Sequence, residues 1–310
     1  MKKRKLKKNV KLILIGTIVL LIGVFLLCKY IGYHNSNSYK LKEIGYSKEE
    51  VKDILLLNEE NINKILSIPY NENTLKFVKE KYFLIKNLET YLSYYSDHKD
   101  LSISKVVSLV NVKANYEYYD EKVIEPTDTS KGNLMLVNKY HYLTENYQPD
   151  VKKVSVMYAY DDNELLEESL NAYIKMWKAA KLDDIMLIAS SSYRTYAEQK
   201  ELWDSRAAIS KKSADSSTAR PGFSEHQTGL TIDILTYNTT LSNFEETDAF
   251  QWLSTNAYKY GFILRYPKDK EDITGYEYES WHYRYVGIDV ATQIYNENIT
   301  FDEYYAYYLE

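Results

Sequence analysis

The sequence predicts an α+β fold with an antiparallel sheet, preceded by a membrane-spanning helix and a small helical module. Three observations lead to this prediction. An apolar run begins at residue 12 behind a basic start, helical patterns dominate residues 40–97, and short strand patterns mix with helices from residue 105 onward. The strands and helices do not alternate regularly, as a parallel sheet with its crossover helices would require. Antiparallel pairing is therefore favoured.

The N-terminal segment has the composition of a membrane anchor. Leu12 to Cys28 is an uninterrupted run of 17 apolar or near-neutral residues, at the short end of what spans a bilayer as a helix. Eight lysines and arginines and no acid precede residue 30, and such charge favours the cytoplasmic side. No small-x-small cleavage site follows the run, which favours an anchor over a cleaved signal peptide. We predict a cytoplasmic basic tail at 1–11, a transmembrane anchor at 12–33 and an extracellular remainder.

Charge and cysteine content restrict the possible partners and the kind of site. The chain has a net charge of −5, and removing the eight positive charges before residue 30 leaves −13 for residues 30–310. A body this acidic repels a phosphate backbone, so we predict no nucleic-acid partner. Cys28 is the only cysteine. A metal site in the external part would therefore use His, Asp and Glu, and that part has no disulfide.

Residues 34–104 are predicted to form a linker and a small helical module. After a polar linker, Ser47 and Glu50 form a capping-box pattern that begins a helix. Residues 61–66 fit a second short helix, and residues 73–95 carry apolar side chains at three- and four-residue intervals, which predicts one long amphipathic helix. A spacer and a wall-facing adaptor would both have this composition, so the role of the module stays open.

Residues 105–310 are predicted to form one mixed domain. Residues 163–181 are amphipathic and predict a helix, and Thr195 with Glu198 forms a second capping box, beginning a helix that continues to about residue 211. Apolar runs or apolar–polar alternation predict strands at 106–112, 185–189, 230–234, 262–266 and 281–286. An amphipathic segment that ends at a glycine predicts one more helix at 248–260.

Three polar segments in this domain contain candidate functional residues. The first, residues 190–195, lies between a predicted buried strand and a helix, so its arginine can reach into a cleft. The second contains His226 and Asp233, seven positions apart, which would lie on opposite faces of one straight strand. Gly229 between them permits a turn, so the histidine can fold back beside the aspartate.

The third segment, residues 279–285, supplies His282 and a nearby carboxylate, Glu279. A separation of three in a flat strand would place these two on opposite faces, so a bend before Trp281 is required. Two neutral imidazoles and one carboxylate suit catalytic zinc, with one coordination position left open, better than magnesium or calcium. Glu279 is the candidate base and Arg194 the candidate oxyanion partner. Each residue, taken alone, is also compatible with a purely structural role at the surface.

A resemblance to a known family rests on three motifs in order. Residues 219–229, with the sequence Ala-Arg-Pro-Gly-Phe-Ser-Glu-His-Gln-Thr-Gly, resemble the signature of the VanY-type D-alanyl-D-alanine carboxypeptidases, zinc peptidases of the lysostaphin, VanX and hedgehog group. Residues 192–195 (Ser-Tyr-Arg-Thr) and 281–285 (Trp-His-Tyr-Arg-Tyr) resemble the other two motifs, and residues 137–140 resemble the leading segment of the family. The resemblance covers about residues 105–295.

The resemblance implies a role for each matching residue. The zinc ligands of the family correspond to His226, Asp233 and His282. Glu279 corresponds to the catalytic base, and Arg194 to the arginine that polarises the scissile carbonyl or holds the substrate. Contacts to the terminal D-alanine fall at Gln199, Ser224 and Tyr266. The sequence departs from the family pattern at Ser192, where a glycine is common, and at Ser280, where a proline is common. Ser280 loosens the backbone beside Glu279.

These implications lead to a specific expectation. Residues 105–310 should form a zinc carboxypeptidase domain, an antiparallel sheet flanked by helices around a Zn²⁺ site. It should remove terminal D-alanine from peptidoglycan stem peptides on the outer face of the membrane. The alternatives are an L,D-carboxypeptidase acting on tetrapeptides, a wall endopeptidase, and a catalytically inactive wall-binding protein. An inactive relative would be expected to lose a ligand or the base, whereas all four groups are present here.

Overall fold

The computed structural model of the chain describes residues 8–160 and 162–310. Most of the predicted basic tail, residues 1–7, lies outside the described residues. Helix α1, Lys8–His34, contains the whole predicted anchor at 12–33 and is long and apolar enough to cross a membrane. By length and composition it could serve as a membrane span or as a signal sequence.

The chain divides into two units, residues 1–107 and 108–310. The domain bounds predicted from the sequence, at 34–104 and 105–310, stay predictions. The first unit is helical among its described residues. After α1 its helices are α2 (Asn37–Ile44), α3 (Lys48–Ile54), α4 (Glu59–Leu66), α5 (Thr74–Val78), α6 (Leu88–Asp97) and the beginning of α7 (Ile103–Asn111).

The capping box predicted at Ser47 is confirmed. The Ser47 hydroxyl accepts a hydrogen bond from the Glu50 amide at 3.3 Å, and the Glu50 carboxylate accepts one from the Ser47 amide at 2.8 Å. These reciprocal bonds satisfy two amides that a helix N-terminus otherwise leaves unpaired.

The single long helix predicted over residues 73–95 is wrong. The chain leaves the helical conformation after α5 and resumes it in α6, with a 3₁₀ turn at Ile85–Asn87 between them. Phe77 of α5 stacks on Tyr91 of α6, with ring centroids 5.4 Å apart. Two short helices can thus pack their apolar faces against each other, which one straight helix cannot do.

The strand predicted over residues 106–112 is also wrong, because α7 occupies this segment. Its β-branched valines favour a strand, but the Ser102 hydroxyl accepts a hydrogen bond from the Lys105 amide at 3.1 Å in the first turn of the helix. Val106, Val107 and the neighbouring apolar side chains are buried. Burial of a helical stripe therefore outweighs the local propensity.

The second unit mixes strands and helices, and the predicted mixed class is confirmed. Its elements are β1 (Glu125–Pro126), β2 (His141–Tyr142), β3 (Val151–Lys153), β4 (Glu164–Leu166), α8 (Glu167–Leu182), β5 (Ile188–Ser191), α9 (Tyr196–Ala207), α10 (Lys211–Ser217), β6 (Thr231–Leu235), α11 (Asp248–Asn256), β7 (Phe262–Leu264), α12 (Glu271–Thr274), β8 (His282–Tyr285), α13 (Ile288–Glu297) and α14 (Phe301–Tyr308).

Helix α9 begins at the predicted capping box but ends earlier than predicted. The Thr195 amide donates to the Glu198 carboxylate at 2.8 Å, and the Glu198 amide donates to the Thr195 hydroxyl at 3.2 Å. The helix was expected to continue to about residue 211, whereas Ser210 caps a separate helix, α10, by accepting a hydrogen bond from the Ser213 amide at 3.3 Å. The chain therefore turns after α9, and α10 packs against α9.

Within the described residues, β5, β6, β8 and β7 form a four-stranded sheet in that order, and each neighbouring pair is antiparallel. The register places Asp233 of β6 opposite His282 of β8 and beside Ser191 of β5. Three polar segments that are distant in sequence thereby meet at one place on the sheet.

Strand β6 was predicted to be half-buried, but all five of its residues are buried. Ile232 and Ile234 belong to the hydrophobic core of the unit. The opposite face, with Thr231 and Asp233, is covered by polar side chains, since the Thr231 hydroxyl lies 3.5 Å from the Glu225 carboxylate. The polar residues of β6 therefore lie on the face that is covered by buried polar side chains.

Candidate active site

The structure brings together the three residues predicted as metal ligands. Nε2 of His226 lies 3.6 Å from Oδ2 of Asp233, and Nδ1 of His282 lies 3.2 Å from Oδ1 of Asp233. One potential ligand atom from each residue lies within 4.8 Å of the others. All three side chains are buried. Such convergence of two imidazoles and a carboxylate is the geometry that a metal ion requires.

A tight turn brings His226 back beside β6. His226 lies on a 3₁₀ turn that Gly229 terminates with φ of 71°, in the left-handed region. A Cβ at Gly229 would lie 2.9 Å from Cγ1 of Val151, so a side chain would clash there. Nδ1 of His226 donates to the carbonyl of Ser192 at 2.5 Å. That bond leaves the lone pair of Nε2 directed to the site.

The donor set fits a zinc ion. In the part of the chain that the structure describes, Oδ1 of Asp233 is buried and accepts no well-directed hydrogen bond, although Nδ1 of His282 lies 3.2 Å away. Buried polar atoms of this kind normally have such a partner. Burial lowers the pKa of His226 to about 3, so this imidazole is a neutral ligand. Burial also disfavours charge on His282, but contacts with Asp233 and Glu225 raise its pKa to about 9. The carboxylates therefore favour positive charge at the His282 side of the site, and imidazole with carboxylate suits zinc.

Glu279 lies beside this group. Its Oε2 is 3.3 Å from Nδ1 of His282. The His282 amide contacts the Glu279 carbonyl at 3.4 Å, and β8 begins only at His282, so the chain bends before Trp281 as predicted. Burial raises the pKa of Glu279 to about 7. A carboxylate with a pKa in this range can accept and return a proton near neutral pH.

Arg194 lines the same cavity and is held by two hydrogen bonds. Its Nη1 donates to Oε1 of Gln199 at 2.8 Å and its Nη2 donates to Oγ of Ser191 at 3.0 Å. Nε2 of Gln199 donates to the carbonyl of Ala219 at 2.6 Å. The guanidinium is thus kept in one orientation, as a group that stabilises developing negative charge must be.

One cavity of about 380 Å³ contains all the predicted site residues. They are Arg194, Gln199, Ser224, His226, Asp233, Tyr266, Glu279 and His282. The ring of Tyr266 lies 4.8 Å from that of His282, measured between centroids. The volume is in the range of small-molecule and peptide-end sites.

Sequence reasoning missed Arg206, which also lines the cavity. Gln199, Leu202 and Arg206 follow each other at i, i+3 and i+7 on α9, which places them on one face of the helix. This spacing from Gln199 was the signal that could have identified Arg206. Its guanidinium donates to the Thr218 hydroxyl and, at 3.5 Å, to the carbonyl of Ser217. A guanidinium has five donors, so others remain for an anionic ligand.

Another group of potential metal ligands consists of Glu125, His141 and Glu310. Nε2 of His141 lies 3.0 Å from Oε1 of Glu125. The Lys113 ammonium lies 2.6 Å from the same oxygen and 3.8 Å from the Glu310 carboxylate. The negative charge here is therefore already paired with a cation, which makes the cleft the better metal site.

The fold and the cleft together define a class of protein. The cavity holds a His–Asp–His donor set, a largely buried carboxylate beside it and an arginine held in one orientation. These are the groups that a zinc peptidase uses to hydrolyse an amide bond. An antiparallel sheet carries them on neighbouring strands and turns.

Comparison with known proteins agrees with this class. The family model VanY, D-alanyl-D-alanine carboxypeptidase, matches residues 162–288. The chain is 40% identical over 194 residues to the protein YodJ of Bacillus subtilis (strain 168). This alignment covers 59% of this chain and 70% of that protein. It is 35% identical over 191 residues to a D-alanyl-D-alanine carboxypeptidase of Enterococcus faecalis (strain ATCC 700802 / V583), covering 58% and 68%. The solved structure of the LD-carboxypeptidase LdcB is 38% identical with a TM-score of 0.57, covering 62% of this chain and 94% of that chain.

The chain therefore belongs to the VanY family of D-alanyl-D-alanine carboxypeptidases. The predicted family is confirmed, and with it the prediction of a peptidase, a zinc metallopeptidase by family. The relatives include both a D-alanyl-D-alanine carboxypeptidase and an LD-carboxypeptidase.

Proposed function

We propose that the chain removes the terminal D-alanine from peptidoglycan stem peptides ending in D-Ala-D-Ala, by zinc-dependent hydrolysis. The observation that carries this proposal is the convergence of His226, Asp233 and His282 beside Glu279 in one cavity. The name of the Enterococcus faecalis relative supports the D,D-specificity. The LdcB likeness favours the alternative, an L,D-carboxypeptidase acting on tetrapeptides.

In the proposed mechanism Nε2 of His226, the Asp233 carboxylate and Nδ1 of His282 would hold the zinc. A zinc ion bound there would supply Lewis acidity to polarise the scissile carbonyl. Glu279 takes a proton from the attacking water and returns it to the departing amine of D-alanine. Arg194 donates hydrogen bonds to the oxygen on which negative charge develops.

The remaining predicted residues are proposed to act at the terminal residue of the substrate, two of them directly and one indirectly. Ser224 and Tyr266 are proposed to contact the terminal D-alanine. Both ends of the Gln199 amide are engaged, with Arg194 and with the Ala219 carbonyl. Gln199 is therefore proposed to act on the substrate through Arg194, by keeping the guanidinium oriented.

The proposed location is the outer face of the cell membrane. Peptidoglycan lies outside the membrane, and α1 could anchor the catalytic domain next to it. We retain the bounds of a basic tail at 1–11, an anchor at 12–33, a linker and helical module at 34–104 and a catalytic domain at 105–310 as part of the proposal.

The specificity is tested by mass spectrometry of two synthetic stem peptides incubated with the zinc-loaded full-length chain. A pentapeptide ending in D-Ala-D-Ala should lose one alanine, and a chelator should stop this loss. A tetrapeptide ending in a single D-Ala is incubated in parallel as the substrate of the L,D-alternative. Cleavage of the tetrapeptide alone would contradict the D,D-specificity and establish the L,D-alternative. If neither peptide were cut, the carboxypeptidase proposal would fail, and endopeptidase activity or simple wall binding would replace it.

Substitution of Arg206 by alanine is expected to raise KM for the stem peptide about 10–100-fold, with kcat nearly unchanged. The guanidinium faces the cavity, and a hydrogen bond to a charged substrate group contributes about 1.5–3 kcal/mol to binding. Initial rates against peptide concentration measure this effect. Lys200→Ala on the same helix, where Lys200 pairs with Asp204, is the control and should leave KM unchanged. A fall in kcat at constant KM would show instead that Arg206 acts on the transition state.

A further inference from the structure

A cluster of buried charges lies behind the catalytic cleft. It consists of Glu225, Arg265, Arg284 and Asp302, and each is at most 2% exposed. Burying ionised groups costs several kcal/mol per ion unless each is paired and hydrogen-bonded. Each of these charges therefore needs a close partner of opposite charge. One member of the cluster, Glu225, also lines the cleft and so connects the two.

Arg265 links two carboxylates. Its Nε donates to Oε1 of Glu225 at 2.8 Å, and its Nη1 and Nη2 donate to the two oxygens of Asp302 at 2.5 and 3.2 Å. Asp302 also accepts a hydrogen bond from Nδ2 of Asn138 at 2.8 Å. Bidentate pairing of this kind fixes both partners in orientation as well as in position.

Both arginines bind the same oxygen of Glu225. Nη1 of Arg284 donates to Oε1 at 2.9 Å, on the atom that Arg265 also contacts. The other oxygen, Oε2, accepts a hydrogen bond from the Thr231 hydroxyl at 3.5 Å and lies 3.7 Å from Nε2 of His282. Glu225 thus places one oxygen in the charge cluster and directs the other to the ring of a proposed zinc ligand.

The orientation of the His282 ring makes this contact relevant to the metal. Nδ1 is the ring nitrogen that faces Asp233, so a ring that binds metal through Nδ1 carries its proton on Nε2. Nε2 of His282 is buried without a hydrogen-bond partner among the described residues, and Oε2 of the Glu225 carboxylate faces it at 3.7 Å, within ion-pair distance. A carboxylate in this position selects the tautomer, fixes the ring and raises the basicity of the ligand.

We propose that Asp302, on the C-terminal helix α14, is a positioning residue for the zinc ligand His282 and acts through Arg265 and Glu225. Asp302 holds the Arg265 guanidinium, and the guanidinium holds Oε1 of Glu225. The carboxylate is thereby kept with Oε2 facing Nε2 of His282 at 3.7 Å. Helix α14 lies beyond residues 162–288, which the family model matches. The inference rests on the proposed function in one respect, that His282 binds zinc.

The test compares zinc affinities of the full-length chain by competition with a chelating dye. Asp302→Asn should weaken zinc binding up to about tenfold, at the low end of the roughly 10–100-fold that the loss of a direct partner of a metal-ligating histidine costs, because Asp302 acts through two intervening side chains. Glu303→Gln is the matched control, since Glu303 is a neighbouring carboxylate, equally buried, that pairs with Lys270 at 3.2 Å. The control should lower the melting temperature and leave zinc affinity unchanged.

A second readout separates positioning from general loss of stability. The absorption bands of the cobalt-substituted protein report the ligand geometry, and they should shift in Asp302→Asn but not in Glu303→Gln. Glu225→Gln, which keeps the side-chain volume, should weaken zinc binding at least as much as Asp302→Asn. It also serves as the test if Asp302→Asn does not fold.

Wild-type zinc affinity and wild-type cobalt bands in Glu225→Gln or in a folded Asp302→Asn would overturn the inference and leave the cluster a structural one. Equal weakening in Glu303→Gln and Asp302→Asn would also overturn it. Failure of the proposed function is distinguished by the wild-type chain, which would then bind no zinc or cut neither peptide.

Discussion

Substitution of Glu279 by glutamine is expected to lower kcat about 10²–10⁴-fold while the zinc content stays at the wild-type level. The amide has nearly the shape of the carboxylate but cannot accept a proton from water. Glu279 is not part of the His226–Asp233–His282 donor group, although its Oε2 lies 3.3 Å from Nδ1 of His282. The variant therefore separates proton transfer from metal binding.

The measurement combines the rate of D-alanine release with the zinc content per chain. Glu277→Gln is the matched control, since Glu277 is exposed, accepts a hydrogen bond from Ser216 at 3.0 Å and is not among the described residues that line the cavity. It should retain wild-type turnover. Loss of zinc together with turnover in Glu279→Gln would show that Glu279 is a ligand and that the proposed roles are wrong.

Substitution of His226 by alanine is expected to remove zinc and activity together. The loss of a direct ligand should weaken zinc binding more than the roughly 10–100-fold that the loss of an outer partner costs. The imidazole is buried, and its Nδ1 donates to the Ser192 carbonyl, which leaves Nε2 for the metal. No other described imidazole is placed to substitute for this Nε2 beside Asp233. Activity should fall to the level of the metal-free protein.

Zinc content after dialysis and D-alanine release with zinc in excess measure both effects. His98→Ala is the control, because His98 lies in the first unit with its Nδ1 2.9 Å from the Tyr94 carbonyl. It should keep both properties. A His226→Ala variant with wild-type zinc content would contradict the ligand assignment.

The sequence predicts best those features that depend on residues close together in the chain. The capping boxes at Ser47 and Thr195 are both present because each needs only a partner three residues on. The helix over 73–95 and the strand over 106–112 are wrong because packing with distant segments decides where an apolar stripe breaks or which conformation buries it.

The candidate site divides in the same way. The return of His226 toward Asp233 could be predicted from Gly229, whose conformation is local. The pairing of Asp233 with His282 depends on strand register, which no single segment specifies. Asp302 could not be found from the sequence, because its connection to the site passes through side chains from separate elements.

An anomalous difference map at the zinc edge, from crystals of the chain grown with zinc, tests the central claim most directly. We expect one strong peak in the cleft, about 2.0–2.2 Å from Nε2 of His226, a carboxylate oxygen of Asp233 and Nδ1 of His282. A strong peak between Glu125 and His141 with none in the cleft, or a cleft peak not bonded to these three residues, would contradict the proposed catalytic centre.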